Sequence, residues 1–212
     1  MPHGRFVTLE GGEGAGKSTQ IKRLAERLRA AGFGVVETRE PGGAPGAEEI
    51  RNLLLGGGVE RWDSVTEALL MYAARRDHLV RTVWPALDQG QWVLCDRFED
   101  STRAYQGAGS GLDRAVIDAL GKVARGPFAP DMTLILDLPV AVGRARAAAR
   151  RGANDRFEQR DDAFHERVRQ GFLAIAAAEP KRCAVIDASR PLDEVAAAIT
   201  QEVERRLGVA LP

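Results

Sequence analysis

The chain has little of several things that commonly announce a function. It contains two cysteines, Cys95 and Cys183, far apart and each inside an apolar run. A pair so placed makes neither a disulfide framework nor a zinc site, and reads as small buried thiols in a reducing compartment. It carries no net charge, 30 Lys and Arg standing against 30 Asp and Glu, so no global field draws it to a nucleic-acid polymer or a membrane surface. No apolar stretch approaches the roughly 20 residues needed to span a bilayer. Met1 to Arg5 lead straight into a strand-like segment, without the apolar region of a signal peptide. A cytoplasmic location is expected. His3, His78 and His165 stand at no metal-ligand spacing and receive no role. There is no repeat and no convincing linker, Gly56-Gly57-Gly58 being too short to separate domains. The 212 residues are therefore expected to form one domain, 1–212, long enough to build a full core.

What is present is a regular alternation. Strand candidates at 6–9, 34–38, 92–95, 133–136 and 183–186 are largely apolar, without every-other-residue polarity. That is the pattern of parallel strands buried on both faces. Helical periodicity separates them. From Lys17, residues Ile21, Leu24, Ala25, Leu28 and Ala31 share one face, which stops at Gly32. Further helices are predicted near 47–55, 64–88, 112–124, 139–151, 160–178 and 191–207. The class is α/β: a five-stranded parallel sheet with helices on both faces, three layers in all. Such sheets bind ligands beyond the carboxyl ends of their strands.

Between the first strand and the first helix, Gly11-Gly12-Glu13-Gly14-Ala15-Gly16-Lys17-Ser18 matches G-x-x-x-x-G-K-[ST] at every fixed position. It also stands in the strand–turn–helix context that the motif requires. Glycines let main-chain N–H groups turn inward around a polyphosphate. The helix N-terminus adds partial positive charge at the same point. Lys17 places a cation on the β- and γ-phosphates, the Ser18 hydroxyl can ligate Mg²⁺, and Thr19 completes the ATP-binding turn. The P-loop NTPase fold follows, but the motif alone says only nucleoside triphosphate. No Asn-Lys-x-Asp occurs, which excludes a GTPase base reader, and Asp96 at the end of the third strand is followed by Arg97 rather than by Glu.

The second substrate is written at the other strand ends. After the second strand comes Thr38-Arg39-Glu40-Pro41-Gly42-Gly43, then Glu49-Ile50-Arg51. The long middle helix carries Leu69-Leu70-Met71-Tyr72-Ala73-Ala74-Arg75. The third strand leads into Asp96-Arg97-Phe98-Glu99-Asp100-Ser101-Thr102 and Ala104-Tyr105-Gln106-Gly107, and an arginine-rich stretch closes in Asp155-Arg156-Phe157-Glu158. In this order around a P-loop, the segments resemble the bacterial thymidylate kinases over nearly the whole chain.

The resemblance implies ATP-dependent phosphorylation of dTMP to dTDP, with Mg²⁺, by direct in-line transfer in dTTP synthesis, and a homodimer. It implies that Arg97 holds the acceptor phosphate with Arg39 beside it, and that Glu40, Arg51 and Ser101 line the same pocket. Arg75 then reaches the pyrimidine, Thr102 and Gln106 address the base, and Tyr105 crowds the sugar 2′ position. Glu13 lies where donor and acceptor meet. The arginine-rich stretch, about 146–158, corresponds to a short lid that supplies the catalytic cation, with Arg151 the first choice and Arg156 the second. Transition-state arginines contribute on the order of 10³–10⁵ in rate in P-loop enzymes. A phosphate acceptor needs no general base, so fixed cations are the chemistry to expect. One position departs: relatives commonly carry Phe where Met71 stands, and Met offers no ring face for stacking.

Plainer readings stand beside these. Arg75 or Arg76 can pair with Asp77 in solvent, and Arg144 and Arg146 read as a wet helix face. Asp96 is read as contacting Mg²⁺ or Arg97, whereas Asp137 is open between structure and function. Tyr105 is expected on an exposed loop. Trp62, Trp84 and Trp92 read as packing, and the helix with Leu69 and Leu70 as a possible subunit contact. The rival functions are a kinase for another monophosphate, such as dUMP or CMP, and an ATP-dependent switch without a small acceptor.

Overall fold

The computed structural model describes residues 4–149 and 156–212. Five strands, β1 (Phe6–Glu10), β2 (Val35–Arg39), β3 (Trp92–Asp96), β4 (Met132–Asp137) and β5 (Cys183–Asp187), form one sheet in the order β2-β3-β1-β4-β5. Every pairing is parallel. The helices are α1 (Lys17–Ala30), α2 (Pro45–Leu55), α3 (Ser64–His78), α4 (Trp84–Asp88), α5 (Glu99–Thr102), α6 (Arg114–Arg125), α7 (Val140–Ala148), α8 (Asp162–Ala178) and α9 (Leu192–Leu207). Among the described residues no helix is long and apolar enough to cross a membrane.

The two-residue period of a strand explains why the apolar runs do not alternate. Val7, Leu9, Leu94, Leu134 and Leu136 pack with Ile21, Leu24 and Leu28 of α1 and Val195, Ile199 and Val203 of α9. Their strand neighbours point the other way. Phe6, Val93 and Cys95 meet Leu79, Val83 and Ala86, while Ile135 and Cys183 meet Phe164, Val168, Phe172 and Ile175 of α8. Each such side chain contributes about 1.5–3 kcal/mol on burial. Covered on both faces, the sheet exposes its carboxyl edge, with β1 at the centre.

Two sequence expectations fail, for identifiable reasons. The predicted helix 64–88 is broken by a π-helical turn over Leu79–Val83. Pro85 lacks an N–H and clashes with the carbonyl four residues back, so the ladder widens by one residue and Trp84 N–H bonds Leu79 O. The segment after α5, expected to be an exposed loop, is a π-helical run over Arg103–Gly109 packed on α8. A Cβ at Gly109 would lie 2.7 Å from Phe164 Cε2, so this close approach requires glycine. The strands also run one residue further than predicted, to Arg39, Asp96 and Asp137, with Arg39 and Leu9 both opposite Asp96. Residues that carry charge into the site are therefore pinned by the sheet itself.

Candidate active site

Gly11 to Ser18 wrap the gap between β1 and α1. Gly14 has φ 68°, and a Cβ there would lie 2.1 Å from Gly143 O, so no other residue fits. Gly16 caps α1 without a side-chain acceptor, leaving the first helical N–H groups available for an anion. Lys17 is buried, its Nζ donating to Gly11 O at 3.2 Å and Gly12 O at 3.0 Å. Burial and the Arg97 charge lower its pKa, against the pull of Asp96, Glu13 and Glu10. Ser18 Oγ donates to Asp96 Oδ2 at 2.6 Å. Gly14 to Thr19, with Arg39, Arg51, Asp96 and Arg97, line a polar cavity of about 880 Å³.

Arg97 stands at the junction. Its φ of 73° is the one left-handed non-glycine backbone among the described residues, a strained conformation that persists only when its surroundings impose it. They do: Arg97 N–H bonds Leu9 O, and the next N–H, of Phe98, bonds Glu10 Oε1 at 2.7 Å. The guanidinium donates from Nη1 to Gly11 O and Ser101 Oγ, and from Nη2 to Glu13 Oε1 at 2.7 Å and Tyr105 Oη at 3.0 Å. Burial opposes its charge, but Tyr105, Glu13, Asp96 and Glu10 outweigh it and raise the pKa above the arginine norm. Glu13 responds in kind. Burial would raise it, yet Arg97 and Lys17 hold it at about 2. Glu10, fully buried, goes the other way, to about 7, because burial and the Asp100 charge outweigh its hydrogen bonds to Ser101 and Phe98.

Beside Arg97 opens a mainly apolar cavity of about 570 Å³, lined by Met71, Phe98, Tyr105, Phe157, Leu55 and Pro41 together with Glu13, Glu40, Arg51, Arg75, Ser101, Thr102 and Gln106. Its lining, apolar walls with a few convergent polar groups, suits a small ring-bearing ligand. Arg75 is 2% exposed and held between the rings of Tyr72 (4.7 Å) and Phe98 (5.0 Å). Its Nε donates to Glu40 Oε2 at 2.8 Å and its Nη2 to Thr102 Oγ1 at 3.1 Å, while Nη1 is buried without a partner among the described residues. A buried donor left bare costs about 1–3 kcal/mol, so this atom is poised for an acceptor on a ligand. Glu40 is held in turn by His78 Nδ1 at 3.0 Å, and His78 Nε2 meets Thr38 Oγ1 at 2.7 Å.

The structure thus brings Glu13, Glu40, Arg51, Met71, Arg75, Arg97, Ser101, Thr102, Tyr105 and Gln106 to one cavity. Arg39 is turned instead to Glu48, 3.0 Å away, at the rim of the P-loop cavity. Arg76 stacks on Trp84 and bonds Ala124 O rather than Asp77. Tyr105 is buried, not exposed, because its hydroxyl is drawn inward to Arg97 and Glu13. Arg156 is a correction of substance. It is 1% exposed, paired with Glu67 and bonded to Leu54 O and Val59 O. A guanidinium so committed is an anchor and not a free lid cation. Arg151 lies outside the described residues. Asp137 is chelated by Arg169 Nε and Nη2, a structural pair. Arg144 and Arg146 are surface residues, as expected. Sequence reasoning missed His78, Glu10 and Glu67, whose partners lie 35 or more positions away; burial alone signals them.

Comparison with known proteins finds close relatives of the chain. The profile described as thymidylate kinase matches residues 9–199. The chain is 60% identical over 209 residues to a thymidylate kinase of Caulobacter vibrioides, covering 99% of this chain and 100% of that one. It is 54% identical to one from Afipia carboxidovorans, covering 99% and 92%. Among solved structures, thymidylate kinase from Ehrlichia chaffeensis superposes with a TM-score of 0.78 at 36% identity, over 95% of this chain and 100% of that chain.

Proposed function

The chain belongs to the thymidylate kinase family and phosphorylates dTMP, and we propose that it does so by direct in-line transfer from ATP on the P-loop to dTMP in the neighbouring cavity. The observation that carries this reading is the wall the two cavities share: Glu13, Glu40, Arg51 and Arg97 line both. Two polyanions meet there only if fixed cations offset their repulsion. Lys17 exchanges the carbonyls of Gly11 and Gly12 for the donor's β- and γ-phosphates. Arg97 exchanges Glu13 for the acceptor phosphate, and Glu13 remains at the junction to orient the sugar. Arg39 and Arg51 add charge from the side. Arg75 offers its bare Nη1 to the base, Met71 and Phe98 form apolar walls, and Tyr105 borders the sugar at its 2′ position. The lid stretch, 146–158, excludes water and supplies Arg151 as the transferring cation.

The Ser18 hydroxyl and the Asp96 carboxylate are hard oxygen donors of the kind Mg²⁺ takes together with phosphate and water oxygens. Among the described residues no cluster of three or more His, Cys, Asp or Glu could hold a metal, which suits an ion shared with the substrate. These two residues would hold it, and bound there it neutralises charge on the donor phosphates. We read residues 1–212 as a single kinase domain. Exposed Leu69, Val65 and Val123 on α3 and α6 support a homodimer, and the two buried free thiols suit the cytoplasm.

Arg97→Ala tests the central assignment. Losing a charged hydrogen-bonding group costs about 1.5–3 kcal/mol, so KM for dTMP should rise about 10- to 100-fold while KM for ATP stays within about twofold. An equal rise in both constants overturns the role of Arg97.

A further inference from the structure

Two buried carboxylates support the base end of the acceptor cavity. Glu40 holds Arg75. The other, Glu67 on α3, is 2% exposed and does not itself line the cavity. Both of its oxygens are engaged: Oε1 accepts from Gln106 Nε2 at 2.6 Å, and Oε2 pairs with Arg156 Nη2. A carboxylate in an ion pair only accepts. The Gln106 amide therefore has no freedom of orientation. Its NH₂ end must face Glu67, which leaves its carbonyl end to the cavity that Gln106 lines. Arg75 lines the same cavity; its Nη1 is buried and, among the described residues, without a partner, and a guanidinium only donates. Beside the rotatable hydroxyls of Ser101 and Thr102, which can donate or accept, the cavity thus holds one fixed acceptor and one fixed donor.

A 4-oxo pyrimidine presents the complement, an N3–H donor beside an O4 acceptor. A 4-amino pyrimidine presents the reverse, a bare N3 beside an NH₂, and would set acceptor against acceptor and donor against donor. Resting on the proposed placement of the base in this cavity, we infer that Glu67 is a positioning residue for base selection: by fixing the polarity of the Gln106 amide, it admits 4-oxo pyrimidine monophosphates and rejects 4-amino ones. Arg156 serves the same end. It neutralises Glu67 and ties it to the carbonyls of Leu54 and Val59, so the arginine closing the lid stretch acts in recognition. A site built to hydrogen-bond one pattern leaves buried polar groups unpaired when offered the other.

The test is Glu67→Gln, which keeps the shape and offers Gln106 either a donor or an acceptor. Turnover is measured on the full chain with dTMP, dUMP and dCMP at varied ATP. The kcat/KM ratio of dTMP over dCMP should fall about tenfold or more, through KM for the monophosphates. KM for ATP and kcat at saturating dTMP should stay within about twofold, and Glu67→Asp should restore part of the ratio. A merely structural role lowers all three substrates alike, and an unchanged ratio overturns the assignment. Gln106→Ala separates the two levels. If it leaves KM for dTMP unchanged, the base does not sit here and the inference falls with that placement. If it raises KM while Glu67→Gln leaves the ratio intact, Glu67 alone is wrongly assigned. Should Glu67→Gln fail to fold, a crystal of the unmodified protein with dTMP decides. N3 within hydrogen-bond distance of the Gln106 amide, with Glu67 on its other end, is expected; a base turned away, or Glu67 detached, overturns the inference.

Discussion

In the proposed reading the donor side and the acceptor side hold their phosphates by different means. The P-loop is eight consecutive residues, Gly11 to Ser18, and its grip is main-chain amide plus one ammonium. The acceptor cavity takes side chains from the P-loop, the turn after β2, α2, α3, the two residues after β3, α5, the π-helical run and residue 157. There, each polar reader is held by a buried partner: Arg75 by Glu40, Glu40 by His78, Gln106 by Glu67, Glu67 by Arg156. A local main-chain grip can lose its function without losing the fold. A grip built from buried ion pairs cannot, because removing one member leaves the other charged and unpaired.

The largest expected effect tests the first half of that contrast. Lys17→Ala removes the donor cation and should lower kcat by a factor on the order of 10³ or more, with Tm and circular dichroism unchanged. Most activity surviving, or a collapsed fold, breaks the contrast. Glu40→Ala tests the second half. Breaking a buried pair costs about 3–5 kcal/mol, a fall of roughly 10 °C in Tm for a chain of this size, accompanied by a raised KM for dTMP. A variant that binds dTMP poorly yet melts normally would show the acceptor side to be as separable from the fold as the P-loop.

Two carboxylates three positions apart sharpen the boundary between the sides. Glu13, held at about 2 by Arg97 and Lys17 against burial, contributes stability that is present above its ordinary 4.5 and lost as pH falls toward 2. Glu10, pushed up to about 7 by burial and Asp100, binds a proton more tightly folded than unfolded. Its contribution therefore declines as pH rises from 4.5 to about 7 and is level beyond. Denaturant unfolding between pH 3 and 8 should lose the acid limb in Glu13→Gln and the decline toward neutrality in Glu10→Gln. Identical profiles for both variants would contradict the opposite shifts. The smallest effect is at Met71, where a ring restores stacking. Aromatic contacts contribute about 0.5–1.5 kcal/mol, so Met71→Phe should lower KM for dTMP about two- to tenfold, leaving ATP untouched.

What could be read from the sequence follows the same division. The P-loop, the five parallel strands and the acidic end of the third strand at Asp96 were legible because their signals are local: fixed spacing, short apolar runs, a charge at a strand end. The gathering of Arg75, Arg97, Thr102 and Gln106 was reached only through the resemblance. Hidden entirely were the partners that orient them. Glu40 and Arg75 are 35 positions apart, and Glu67 and Arg156 are 89 apart, so no window contains both. Arg156 shows the cost most clearly, since an arginine-rich stretch suggests a lid cation and only burial reveals an anchor. The break at 79–83 escaped for another reason: helical periodicity tolerates one extra residue per turn, and only Pro85 hinted at it. The run at 103–109 was read as a loop because Gln106 and Gly107 flank Tyr105, and only its packing on α8 reveals a helix.

The shared wall of Glu13, Glu40, Arg51 and Arg97 implies that the phosphoryl group passes straight from one cavity to the other. The most direct check uses ATP made chiral at its γ-phosphorus with oxygen isotopes, dTMP as acceptor, and the configuration at the β-phosphorus of the dTDP formed. Inversion is the expected result, one in-line displacement across the wall. Retention would require a phosphorylated residue between two displacements, and would contradict direct transfer.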